Sequence, residues 1–285
     1  MSDLWIAIAV MIAIAAGLGW LTTSIAPRRR QPQMLWIALS LTFTFVLLAY
    51  TAGQLYWARW IFDSAVIVWS NLSPLFAAIA AGICWRLEDT PRWRRLFMAL
   101  SLASLSVASA FWPFLNLGLR PQPNGGDTWN GPVAMQTSWA TCSPAAAATF
   151  LTAAEMPIAE RDMIPRCLTD ASGTPTLGLY RGVKLVAQQN GRDVKVGDFE
   201  LDQLLSGQVK FPVLLMVRLP LSGVDDPRYA AEWGWIPGMG HSVVALGQTE
   251  NGGLAIADPA KGMEAWSKAD MKVLWHGDAI QLTDR

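Results

Sequence analysis

Four stretches of this chain contain no charged residue: Leu4–Pro27, Gln31–Ala58, Ser64–Trp85 and Leu96–Leu119, with lengths of 24, 28, 22 and 24 residues. An α-helix rises about 1.5 Å per residue, so some 20 residues cross a hydrocarbon layer about 30 Å thick. Only a closed set of backbone hydrogen bonds is tolerated there, and a helix makes its own. Each stretch therefore predicts a spanning helix. Trp5, Trp20, Trp36, Trp57, Trp60, Trp85, Trp93 and Trp112 fall mostly near segment ends, where indole suits the headgroup layer. Pro74 and Pro113 predict kinks in the third and fourth helices. The first stretch lacks the positive n-region of a signal peptide, since Arg28-Arg29-Arg30 follows the apolar run, so it reads as a retained helix.

Composition agrees. Charged residues make up only 15% of the 285, and hydrophobic ones 52%. The formal net charge of zero conceals two unlike halves: residues 1–119 hold 8 basic and 4 acidic residues, and residues 120–285 hold 14 and 18. Nothing in that balance suits a nucleic-acid partner. None of the four stretches contains an ionisable group of the kind that marks ion or proton pathways, so the bundle reads as an anchor in contact with lipid. Asn71 and Gln54 are expected to hydrogen-bond between helices. The loop after the first helix carries three arginines, the loop at Arg59–Asp63 one, and the loop Arg86–Arg95 four. Positive loops stay in the cytoplasm. An integral protein of the cytoplasmic membrane is therefore expected, with residues 120–285 on the outer side. Inverted helices with a cytoplasmic domain are the competing arrangement.

Residues 120–131, rich in Pro, Gly and Asn, predict a linker, and 132–285 suit one domain. A helix is expected to start at Ser143-Pro144, with Ser143 as its cap and the Ala145–Ala148 run continuing it. Glu160–Leu168, Leu177–Gln189 and Asp202–Leu205 read as further helices. Val213–Leu219, Ser242–Leu246, Leu254–Ala257 and Ala279–Leu282 read as strands. Helices followed by strands predict an α+β domain with an antiparallel sheet.

Cys142 immediately precedes that helix start, where partial positive charge and free N–H groups favour a thiolate. His241 opens a strand, and Asp258 ends the next one. Antiparallel neighbours would set the carboxylate beside the imidazole and hold its tautomer. Gln136, six residues before Cys142, can offer its amide with the Cys142 backbone N–H to an oxyanion. The plain alternatives are a buried cysteine, a satisfied core histidine and a turn-forming aspartate. His276 reads as structural. Cys142, His241 and Asp258 lack the close-paired spacing of metal ligands, so neither a metal nor any other cofactor is expected. Cys84, Cys142 and Cys167 are too few for a disulfide framework. A Cys142–Cys167 disulfide would block the nucleophile, whereas a remote Cys167 would leave it free.

Gln136-Thr-Ser-Trp-Ala-Thr-Cys142-Ser-Pro, then His241-Ser-Val-Val-Ala-Leu-Gly, then Ala257-Asp258-Pro259 and the tail Trp275–Leu282 resemble the bacteriocin-processing cysteine peptidases that cut after double-glycine leaders. The resemblance spans roughly 133–283. It implies a papain-like fold and a peptide or protein substrate, with Cys142 as nucleophile, His241 as base, Asp258 as orienting carboxylate and Gln136 as oxyanion donor. The sequence departs from the family at Ser143, where glycine is common. It also contains no phosphate-binding G-x-x-x-x-G-K-[ST] motif, so no ATP-binding domain is read in this chain, and it carries a long stretch, Pro220–Gly240, before His241. Its Tyr229, Trp233 and Trp235 suit substrate, bilayer or packing on their own domain. Two other readings stay open: a catalytically inactive peptide-binding pseudopeptidase, and another acyl transfer by the same residues.

Overall fold

The computed structural model describes residues 1–26 and 30–284. Arg28 and Arg29 of the expected basic loop lie outside the described residues. The chain divides into two compact units, residues 1–57 with 63–119, and residues 58–62 with 120–285.

In the first unit α1 (Ser2–Ile25) is one uninterrupted helix. Helix α2 (Arg30–Val46) passes into a π turn at Leu47–Thr51, seven residues short of the end of its uncharged stretch at Ala58, and a 3₁₀ turn follows at Leu55–Arg59. The third stretch forms two pieces, α3 (Val66–Trp69) and α4 (Ser73–Trp85), with Pro74 in the first turn of α4. Proline lacks an N–H and is tolerated where none is needed, so it begins a helix here. The fourth forms α5 (Arg92–Ala110) and α6 (Trp112–Leu119), bent by 78°. The bend sits beside Pro113, as expected. Among the described residues, three helices are long and apolar enough to cross a membrane, or four if the bent pair is one span. The expected four spans are reached only when the bent pair counts as one. Asn71 Nδ2 donates to the Ser109 carbonyl at 2.8 Å, and Ser106 Oγ to the Pro74 carbonyl at 2.7 Å, tying polar groups across the helices. Gln54 is exposed, and among the described residues its side chain makes no such tie.

The second unit opens with a two-stranded hairpin, β1 (Trp129–Asn130) and β2 (Val133–Ala134). Gly131, at φ +58°, takes the left-handed conformation that this turn needs. Where a free linker is expected, the chain is instead fastened: Gly126 N donates to Glu160 Oε2 at 2.7 Å, and Arg161 N to the Gly126 carbonyl at 3.1 Å. Three helices follow, α7 (Cys142–Ala153), α8 (Glu160–Arg166) and α9 (Thr176–Gln189). Then come β3 (Arg192–Val196), α10 (Leu201–Leu205), β4 (Val213–Arg218), β5 (Gly240–Gln248), β6 (Leu254–Asp258), β7 (Gly262–Trp266), α11 (Lys268–Leu274) and β8 (Trp275–Asp284). The six-stranded sheet has the order β3-β8-β4-β5-β6-β7, and every pairing is antiparallel.

Strand periodicity sorts the core. Val213, Leu215, Val217, Val243 and Ala245 point to a cluster with Leu204 of α10 and Met271 and Leu274 of α11. Leu214, Val244 and Ile280, of opposite parity, are buried on the other face, where α7 lies against β4 and β5. Ala145–Ala148 are all fully buried. Their small side chains let α7 approach β5 closely. Helix α8 packs on α9 through two glycines: a Cβ at Gly178 would lie 2.2 Å from the Cys167 carbonyl oxygen, and one at Gly182 2.3 Å from Cys167 Sγ. Gly178→Ala should therefore cost about 1–3 kcal/mol, read as a lower thermal midpoint of the full chain in detergent. An unchanged midpoint would contradict the close packing.

Candidate active site

Helix α7 begins two residues earlier than expected. Cys142 is its first residue and Thr141 the residue before it. Ser143 does not cap the helix. Its Oγ lies 2.8 Å from Ser242 Oγ in a buried contact with β5. Pro144 falls at the third helical position, where an N–H would still have no partner within the helix. Cys142 thus sits at the positive, N–H-rich end of a twelve-residue helix.

Strand β5 delivers the imidazole. His241 pairs with Val217 of β4, and Val244 pairs with Ala257 of β6. That register sets Asp258 diagonal to His241, within reach of a side chain. His241 Nε2 lies 2.8 Å from Asp258 Oδ1. The same Oδ1 accepts the Ala260 N–H at 2.7 Å, which fixes the carboxylate in the turn after β6. With Nε2 engaged, Nδ1 is the ring nitrogen left for Cys142, and the two side chains each shift the other's titration. Three of the four expected residues are brought together.

Gln136 sits beside them. Its backbone N–H donates to the Pro259 carbonyl at 3.0 Å, next to Asp258. Its side-chain Oε1 is buried with no hydrogen-bond partner among the described residues. The following residue is braced by Glu160 Oε1, which accepts from Thr137 N at 2.9 Å.

Electrostatics follow from burial and contact. Burial by itself pushes the Cys142 thiol up, but the hydrogen bond and charge of His241, with smaller help from Ser143 and the Ser242 backbone N–H, bring it below the ordinary thiol value. Burial alone would lower His241, yet Asp258 and Cys142 raise it to about 10. A thiolate–imidazolium pair is the resting state that these shifts favour. Cys167 behaves oppositely: buried away from that pair, its thiol is pushed up to about 12. Cys142 and Cys167 both carry free thiols, and Cys167 packs against Gly182 of α9. His276 Nε2 is 3.3 Å from the Arg218 carbonyl at an exposed position, apart from the site. Among the described residues, no group of three or more His, Cys, Asp and Glu side chains is placed to hold a metal ion.

The stretch 220–240 packs on its own domain. Trp235 meets the His241 ring edge-to-face at 5.4 Å and 86°. Behind it Trp233 and Trp235 lie 6.2 and 5.9 Å from the buried Trp266 ring. Arg228 Nη2 and Tyr229 Oη both donate to Asp270 Oδ1, at 2.8 and 2.9 Å, which pins the loop to α11. Trp235 and Ser242 are site neighbours that the sequence reading did not assign. Strand parity was the available signal for Ser242, which shares its face of β5 with Val244, the face against α7. A separate cleft of about 650 Å³, lined by Lys195, Lys210, Phe211 and Gln281, lies at the β3–β8 edge and holds none of the four expected residues.

The coupled shifts give a pH test. Iodoacetamide should alkylate Cys142 with a midpoint below the ordinary thiol range near 8.5. Asp258→Asn removes what raises His241, so the imidazolium is lost at lower pH and the thiolate loses its partner; the alkylation midpoint should rise. A midpoint that stays put would exclude the coupling.

No family model matches the sequence. No curated protein matches it either. Among solved structures, the fold is similar to the peptidase domain of Streptococcus ComA, a bi-functional ABC transporter involved in a quorum sensing pathway, at 19% identity and a TM-score of 0.41, covering 54% of this chain and 98% of that one. The peptidase domain of Streptococcus mutans ComA follows at 19% identity and a TM-score of 0.37, with 53% and 98% covered. A double glycine motif protease from an AMS/PCAT transporter, in complex with the leader peptide, is similar at 19% identity and a TM-score of 0.41, with 58% and 99% covered. The chain therefore has structural neighbours among peptidase domains of the double-glycine type, at low sequence identity.

Proposed function

We propose that this chain is a membrane-anchored cysteine peptidase that cleaves an exported peptide or protein. One observation carries the reading: a cysteine at a helix N-terminus and a histidine each shift the other's titration toward the charged form, and the histidine Nε2 is 2.8 Å from a buried aspartate. In this reading the Cys142 thiolate attacks the substrate carbonyl. The charge that develops on oxygen is met by the Cys142 backbone N–H and the Gln136 side-chain amide. The His241 imidazolium gives its proton to the departing amine, which leaves an acyl-enzyme. His241, now neutral, takes a proton from water, and the resulting attack releases the acid and restores the thiolate. Asp258 holds the ring and stabilises its cation throughout.

The anchor reading rests on α1, α2, α3 with α4, and the bent pair α5–α6 as four passages. Arg86, Arg92, Arg94 and Arg95 then lie in an inner loop and residues 120–285 outside.

Cys142→Ala should abolish both labelling by a thiol-directed epoxide and peptide turnover. Gln136→Ala should lower kcat by about 10²–10³ while leaving labelling intact. Turnover that survives Cys142→Ala would refute the peptidase. Rapid labelling without any cleavage would identify a peptide-binding relative that has lost turnover. A membrane-impermeant thiol reagent on intact cells should label wild type and not Cys142→Ala, and equal labelling of the two would overturn the outward placement.

A further inference from the structure

The helix that carries Cys142 and the strand that carries His241 are joined by a contact that the proposed reaction leaves unused. Ser143 and Ser242 are the residues immediately following the two, both side chains are buried, and their Oγ atoms are 2.8 Å apart. Ser143 Oγ also lies 3.9 Å from Cys142 Sγ, within hydrogen-bond range for sulfur. Two hydroxyls bring two protons, and their mutual bond consumes one. When Ser143 donates to Ser242, the sulfur receives nothing from this pair. When Ser242 donates to Ser143, the Ser143 proton is left to point at the sulfur. A thiol is a weak acceptor and a thiolate a strong one, so charge on sulfur selects the second arrangement.

We propose that Ser242 and Ser143 form a two-hydroxyl relay that turns its protons toward Cys142 Sγ when the sulfur ionises, and that holds the thiolate in line with His241. This rests on Cys142 being the nucleophile. The relay stabilises the thiolate and ties α7 to β5 at the residues next to the two reacting groups. Bonds in such a chain polarise one another, so the members act as a unit. Ser143 and Ser242 are positioning residues. Neither moves a proton in the reaction.

The other ionisable groups near the sulfur are accounted for. His241 faces it from β5, with Asp258 of β6 behind and Glu264 of β7 acting on the ring. On the helices packed against α7, Glu160 is held by Gly126 and Thr137, Arg181 donates to the Arg166 carbonyl, and Lys184 pairs with Asp193. None of these changes in a serine variant.

The test is the pH profile of iodoacetamide alkylation of Cys142 in the full chain in detergent. Ser143→Ala should move the midpoint upward and slow alkylation at pH 6 by about tenfold, the lower end of what one hydrogen bond to a charged group is worth. Ser242→Ala, which leaves the Ser143 hydroxyl able to reach the sulfur but without the bond that orients and polarises it, should move the midpoint upward by less. The double variant should be no slower than Ser143→Ala alone, because Ser242 reaches the sulfur only through Ser143. Ser242→Thr, which keeps the hydroxyl and suits a strand, should restore the wild-type midpoint. Unmoved midpoints, additive losses or failure of the threonine to rescue would each overturn the relay. Wild-type Cys142 that is not alkylated at all would instead overturn the nucleophile reading beneath it.

Discussion

Burial opposes charge on both Cys142 and His241, and each is held in its charged form by the other, with Asp258 behind. Desolvation is the leading influence on both groups, yet both shift the other way. That balance survives only if a helix end, a strand start and a strand end converge on one point. The second unit is organised to make them converge. The alanine run lets α7 lie on β5, the β5–β6 register carries Asp258 to His241, and the Ala260 N–H holds the carboxylate in place. Trp235 covers the ring at 5.4 Å. Shielding from water strengthens the same charges that burial would otherwise suppress.

The first unit is organised by a different rule. Apolar side chains there gain little from meeting one another rather than lipid, so helix contacts depend on close packing and polar ties. Asn71 to Ser109 and Ser106 to Pro74 are such ties. They cluster at the breaks between α3 and α4 and near the end of α5, where helix interruptions expose backbone groups that need partners. Proline explains where two of the expected spans are interrupted, but hydropathy alone does not give the 78° bend.

Several elements were hidden from sequence reading for identifiable reasons. Strand β3 carries Arg192, Asp193 and Lys195, so it shows no apolar run, yet it pairs along its whole length with β8. Strand β7 exposes Met263 and buries Trp266, which obscures its alternation. The β1–β2 hairpin has only two residues per arm, too few for a period, and its Asn130-Gly131 pair resembles linker composition. Ser267 and Asp270 cap α11 reciprocally, a signal that was present in the sequence. Serine before proline usually caps a helix, and the sequence predicts that role for Ser143. It instead faces Ser242, because the helix starts two residues earlier and its second position points at the sheet.

The sequence by itself determined the apolar stretches, the main helices and strands, and the chemical types that converge on the site. Those follow from local periodicity, charge and capping, which are properties of neighbours along the chain. Tertiary structure decided which stretches run straight, that the aromatic stretch before His241 packs inward, that Cys167 is sealed behind α9, and that Gln136 Oε1 is left without a partner among the described residues. Those depend on side chains separated by tens to hundreds of residues, whose distances are fixed only once strand register and helix packing are set.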